Sequence, residues 1–494
     1  MNGTRCSANV FSVLLSGLLG PLALVLAAIW PGQAMAIPLF NRQTGQNCVA
    51  CHAGGQFPEL TPYGRLFKMT GYTIGERTVP VSVMALASYV KAANTSKSDD
   101  PSADFARNES AIFATASLFL GGKVTDNIGG FVQITYDNYA TRGDDGKFHG
   151  HTQADNIDLR YADRFIDERR DLIVGVSVNN NPSVSDPWNT APAWMQYVPV
   201  PSPSAYQFID GASPYPGYAS GGNIAGITAY AFWNRTIYAE IGGYGTSKGW
   251  SSFMSSGLDN ASTTKLQGIN PYWRLAWNHE WGPHSLMVGT AGMNAKIYDD
   301  PLNTSDPSTL HHFRNWSIDS QYQYLLDPHA VTAQLVYARQ RHRYPDFLAG
   351  QPSAFVDAQG NPLPNSGDED TTNLVRAKLS YVYEARYGGS LSFFNLSGNT
   401  NTALQTSGYD PTSLTITSDP TAQAPSTRVN GTLAGNPGTR GFTYELFWTP
   451  IQYMRLGAQY TAYSRFNGAS DNYDGFGRNA RDNNALFVYL WTAY

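Results

Sequence analysis

Cys48, Val49, Ala50, Cys51 and His52 place two thiols three positions apart with an imidazole directly behind them, in a chain that has only three cysteines. This is the attachment sequence of a c-type haem. Two thiols at that spacing form thioethers to the two vinyl groups of one porphyrin, and the adjoining histidine becomes the proximal iron ligand. Two other uses of paired cysteines compete with it. A redox C-x-x-C pair goes with a thioredoxin-like βαβ pattern, which this stretch lacks. A zinc site needs a second ligand pair at a suitable spacing, and none follows. For the sixth iron position the nearest methionines are Met69, in RLFKMTGY, and Met84. Met69 is the candidate distal ligand, and a methionine opposite histidine raises the haem potential. A methionine beside apolar residues also serves as packing. No acid, base or nucleophile constellation accompanies these groups. Outer-sphere electron transfer needs none, so no catalytic residue is expected.

Covalent haem attachment happens outside the cytoplasm, and the first 36 residues read as an export signal. Arg5 precedes the apolar run VFSVLLSGLLGPLALVLAAIW, and AMA at Ala34 to Ala36 offers the small residues of a cleavage site. An uncleaved anchor is the competing reading, because the run approaches spanning length. Cleavage would remove Cys6 and take the formal charge from -5 to -6, since Arg5 is the only charged residue in the segment. A disulfide-stapled fold is then excluded beyond one bridge, and a mildly acidic chain has no reason to bind nucleic acid.

From Val81 onward the chain reads as strands. Val375, Ala377, Leu379, Tyr381 and Tyr383 alternate with Arg376, Lys378, Ser380 and Glu384. Met454, Leu456, Ala458 and Tyr460 alternate likewise with Arg455, Gly457 and Gln459, and so do Val132, Ile134 and Tyr136 with Gln133, Thr135 and Asp137. About sixteen such segments follow one another. Short links at Asp126-Asn127, Asp167 to Arg170, Asn234-Arg235, Gly282-Pro283, Asp327-Pro328, Tyr387 to Gly389 and Thr449-Pro450 alternate with long polar ones. Short turns at one rim and long loops at the other are the pattern of an outer-membrane barrel. The expectation is an all-β transmembrane barrel over 81–494, with a haem-bearing segment over 37–80.

Those 44 residues are few for a domain with its own core. A sixteen-strand barrel has an open interior, so the segment is expected to plug the lumen, anchored by inward Arg376, Lys378 and Arg455. His149 and His151 are placed in an outer loop, and His311 and His312 as ordinary solvated histidines. Acidic loop residues such as Asp299, Asp300, Asp368, Glu369 and Asp370 would attract a dication or simply meet water.

Phe40 to Gly45, Cys48 to His52 and FPELTPYGRLFKMTGY at 57–72 together resemble the fused outer-membrane cytochrome–porins. The best-known members of that family are iron oxidases of iron-oxidising bacteria. The resemblance is specific over about thirty-five residues and architectural beyond them. It implies one covalent haem c on Cys48 and Cys51 with His52 as axial ligand. It also implies extracellular Fe(II) as electron donor and a periplasmic c-type cytochrome as acceptor. A different external donor or acceptor, or a porin with a haem-bearing plug, would use the same parts.

Overall fold

The computed structural model describes residues 38–55, 59–94, 109–142, 147–190, 223–255, 265–345, 368–400, 436–473 and 477–494. The export signal read at 1–36 lies outside the described residues. Sixteen strands form one closed antiparallel barrel, as expected. The first eight are β1 (Val81–Ala92), β2 (Ala111–Lys123), β3 (Ile128–Arg142), β4 (Phe148–Asp167), β5 (Arg170–Asn179), β6 (Ile224–Trp233), β7 (Ile237–Thr246) and β8 (Asn270–Trp281). They are followed by β9 (His284–Tyr298), β10 (Leu310–Leu326), β11 (His329–Arg343), β12 (Glu369–Tyr383), β13 (Tyr387–Gly398), β14 (Thr439–Ile451), β15 (Met454–Arg465) and β16 (Ala485–Ala493). β16 closes the barrel against β1, with Met84 opposite Ala493 and Ala92 opposite Ala485. Closure leaves no unpaired edge, which a chain in hydrocarbon cannot tolerate.

The alternation turns apolar residues outward and polar residues inward. On β12 and β14, Leu379 is 52% and Leu446 74% exposed, whereas Arg376, Thr443 and Glu445 are buried. A soluble barrel would do the opposite, so the outer face is a lipid-facing surface. Trp273, Trp277, Trp281 and Trp448 add exposed aromatic rings to it.

Seven short turns join β2 to β3, β4 to β5 and so on to β14 and β15, all at one rim. Two lie elsewhere than the sequence suggests. The turn expected at Tyr387 to Gly389 falls at 384–386, where Glu384 and Ala385 take left-handed φ values of 52° and 53° without a glycine to announce it. The turn expected at Thr449-Pro450 falls at 452–453. Thr449 and Pro450 lie within β14, beside a register shift that absorbs the proline. His149 and His151 belong to β4 and not to a loop, because that strand runs for 20 residues.

Residues 38–80 form α1 (Pro38–Thr44), α2 (Cys48–Cys51), a 3-10 turn (Ala53–Gly55) and α3 (Pro62–Met69). They pack inside the barrel at the short-turn end. The segment touches inward residues around the ring: Asp158 on β4, Tyr230 on β6, Ser285 on β9, Gln323 on β10 and Lys378 on β12. Only a position within the lumen reaches all of these. The chain after β5 also turns inward through α4 (Pro182–Ser185), burying Asp186, Trp188 and Thr190 completely.

Candidate functional site

Local chemistry sets the shape of the cysteine segment. Thr61 caps α3 by accepting from the Gly64 N–H at 3.1 Å, and Pro62 opens the helix where no donor is needed. The Thr61 hydroxyl also donates to the Ala50 carbonyl, tying α3 back to α2. Gly64 lies against the carbonyl of Cys51, where a Cβ would collide, so only glycine lets the two helices meet. A one-residue bridge between His52 and Leu60 completes the clamp.

Cys48, Cys51 and His52 line one cavity of about 160 Å³. Phe40, Leu60 and Phe67 bound it on the plug side, and Met84, Phe119 and Trp491 on the barrel wall. Neither cysteine is in a disulfide. Burial pushes the Cys51 thiol up to about 11. The His52 imidazole is pushed down to about 4 by burial, partly opposed by Glu59. It is therefore neutral at pH 7, the form that donates a lone pair to a metal. Its Nδ1 is buried without a hydrogen-bond partner. Two thiols, a neutral imidazole and apolar walls around one cavity fit a c-type haem.

Met69 does not line this cavity. It is 1% exposed and packs with Ala162, Ile173, Trp188 and Tyr230. α3 turns its last residue toward β4 to β6, away from Cys51. Met84, on β1, is the methionine that shares the cavity with His52.

The plug is anchored on the other side of the lumen. Arg65 donates to Gln323 at 2.9 Å and to Ser285 at 2.8 Å, with Glu280 3.7 Å away. The Lys68 ammonium donates to the Asp186 carbonyl at 2.9 Å, and burial lowers it to about 8. Tyr72 donates to Asp158 at 2.6 Å, and Tyr230 donates to the Met69 carbonyl at 2.7 Å. Lys378 and Glu59 pair at 2.6 Å. Of the three wall cations expected to hold the plug, Lys378 does so. Arg455 pairs with Glu445 at 2.9 Å, and Arg376 reaches the Thr190 carbonyl at 3.5 Å.

The inward-turned chain after β5 and its ion pairs were not evident from sequence. Arg274 bridges Asp186 at 3.0 Å and Asp319 at 2.8 Å, and lies 5.7 Å from the Trp188 ring centre. Arg160 pairs with Asp158 at 2.8 Å. The signal was present in NIDLRYAD, where Asp158 and Arg160 occupy the inward phase of an otherwise apolar alternation.

No family model matches the chain, and no curated protein matches it. Solved outer-membrane proteins resemble it in architecture. OmpF of Salmonella typhi, solved in complex with daunomycin, is 11% identical with a TM-score of 0.44, covering 84% of this chain and 97% of that one. OprB of Pseudomonas putida is 10% identical with a TM-score of 0.44, covering 84% and 93%. The channel DcaP of Acinetobacter baumannii is 14% identical with a TM-score of 0.40, covering 84% and 96%.

Proposed function

We propose that the chain is an outer-membrane electron conduit of the cytochrome–porin kind. It oxidises extracellular Fe(II) and delivers the electrons to a periplasmic c-type cytochrome, as an oxidoreductase with one covalent haem c. The observation that carries this reading is the shared cavity of Cys48, Cys51 and His52 inside a closed barrel. Bound there, the haem would supply a one-electron redox centre. Cys48 and Cys51 would hold it by thioether bonds, and neutral His52 would offer its ring nitrogen to the iron. Met84, which borders the cavity as Met69 does not, would offer its thioether sulfur to the haem in place of Met69. Phe119 and Trp491 exclude water from that wall. With the short turns on the periplasmic side, α2 sits near the rim where a soluble acceptor docks.

A porin-like channel with a structural plug is the second reading, favoured by the barrel architecture itself. The buried Arg274–Asp186–Asp319 bridge beneath the inward chain weighs against free passage. Haem-loaded protein, reconstituted so that Fe(II) meets only the long-loop side, separates the two. Rapid anaerobic bleaching of the oxidised visible spectrum, absent in His52→Ala, supports the conduit. An unresponsive spectrum together with free ion conductance in bilayers supports the channel.

A further inference from the structure

At the opposite end of the barrel from the cysteines, the inner wall carries a cluster of side chains of the types that ligate metals. His311, near the long-loop end of β10, and His342, near that end of β11, are 4% and 1% exposed. His311 Nδ1 faces His342 Nε2 at 2.8 Å, and His311 Nε2 lies 2.8 Å from Asp299 Oδ1. Phe313 stacks on the His342 ring with centroids 4.2 Å apart, and Tyr344 packs 4.2 Å away on it. Asp370, directly opposite His342 in the strand register, accepts from the Tyr344 hydroxyl. The neighbouring His312 faces outward and takes no part.

We propose that His311 and His342 together bind a divalent transition-metal ion at the long-loop mouth of the barrel. The carboxylate of Asp299 accepts a hydrogen bond from His311 Nε2–H, which leaves the Nδ1 lone pair aimed at His342. A carboxylate behind a histidine is the usual outer support of a metal ligand. Two nitrogens on one ion, each about 2.0–2.1 Å from it, stand about 2.8–3.4 Å apart for cis-octahedral to tetrahedral angles. The observed 2.8 Å lies at the short edge of that range, so a small ring movement that turns both nitrogens toward a common point admits the ion. The stacked Phe313 and Tyr344 hold the His342 ring plane ready for it. Among the described residues no group of three or more His, Cys, Asp or Glu is arranged around a common metal position. Water therefore completes the coordination, which suits an ion that is taken up and released. Asp299 keeps about a third of its side chain exposed (34%), so the pair is reached from solvent along that side. The binding claim stands without the haem. That the ion is the Fe(II) to be oxidised rests on the function proposed above.

Co(II) is a suitable probe, because its ligand-field bands report histidine coordination in the absence of any electron transfer. Untagged full-length protein in detergent should take up one Co(II) saturably, with visible bands that disappear in His311→Gln and in His342→Gln. Asp299→Asn should weaken binding about 10–100-fold through loss of the outer support. His149→Gln with His151→Gln should leave it unchanged. Heat-modifiable electrophoretic migration verifies that each variant keeps its barrel. No saturable Co(II) uptake, or uptake equal to wild type in both single histidine variants, would mean a plain histidine–histidine hydrogen bond and would overturn the proposal. Metal uptake without Fe(II)-dependent spectral change would leave the site standing and remove the iron-oxidising reading.

Discussion

The two halves of the barrel's inner wall are made of different materials. From β4 to β10 the inward positions carry Asp158, Arg160, Glu240, Arg274 and Asp319, joined in buried ion pairs and tyrosine contacts. From β15 through β16 to β2 they carry Leu86, Val90, Ile112, Phe487, Tyr489 and Trp491 in one apolar cluster. The plug uses both. It binds the polar half through Arg65, Lys68 and Tyr72, and turns its cysteines and His52 toward the apolar half. Charge fixes where the segment sits, since buried ions demand specific partners. The apolar wall borders the cavity beside the thiols through Met84 and Trp491.

The sharpest test of this division is replacement of Cys48 and Cys51 together by alanine. Covalent haem, read by peroxidase staining after denaturing electrophoresis, should be lost completely while the barrel still migrates as folded. Haem staining that survives would refute the assignment of the apolar side as the cofactor's side.

On the polar side, Arg274→Met strips the counter-charge from buried Asp186 and Asp319. It should destabilise the barrel by about 3–5 kcal/mol, read from the urea midpoint in detergent. An unchanged midpoint would show that the charged wall contributes little to holding the inward chain.

Glu59 gives the comparison a pH dependence. Burial alone would raise its carboxyl, but the charge and hydrogen bond of Lys378 outweigh this and hold it below the ordinary value. Its contribution is therefore fully present above the unfolded value of about 4.5 and lost as pH falls through the lower folded one. Protease sensitivity of residues 38–80 should rise on acidification across that window. Glu59→Gln should abolish the pH dependence, and an identical acid profile in that variant would discard the anchor.

The smallest effect on stability belongs to Met84→Leu, a near-isosteric change costing less than about 1.5 kcal/mol. The haem potential should nevertheless fall, because a thioether opposite histidine raises it. A potential moved by Met69→Leu and not by Met84→Leu would restore the sequence-based choice.

Much of the barrel was legible because strand alternation is local. The apolar phase at Leu379, Tyr444 and Leu446 and the polar phase at Arg376 and Glu445 follow from a two-residue repeat that no long-range contact disturbs. Some turn positions were legible where proline or paired polar residues marked them, as at Gly282-Pro283, although Pro450 proved to lie within β14. Others were not, as at Glu384-Ala385, whose left-handed backbone carries no compositional sign. That Cys48, Cys51 and His52 lie together was legible for the same local reason, since they fall within five residues. That Met69 stands apart from the cavity was not legible, because proximity in sequence is not proximity in space and α3 turns that residue to the far wall.

The sequence by itself determined the strand count and the lipid-facing phase, both of which depend on spacings of a few residues. Tertiary structure decided which wall the cavity faces, that Met84 borders it, that Trp188 and Asp186 fold inward, and that His311 meets His342. Each of these joins residues that closure of the barrel brings together from distant strands. Alternation says that a residue points inward; only strand order and register say what it finds there.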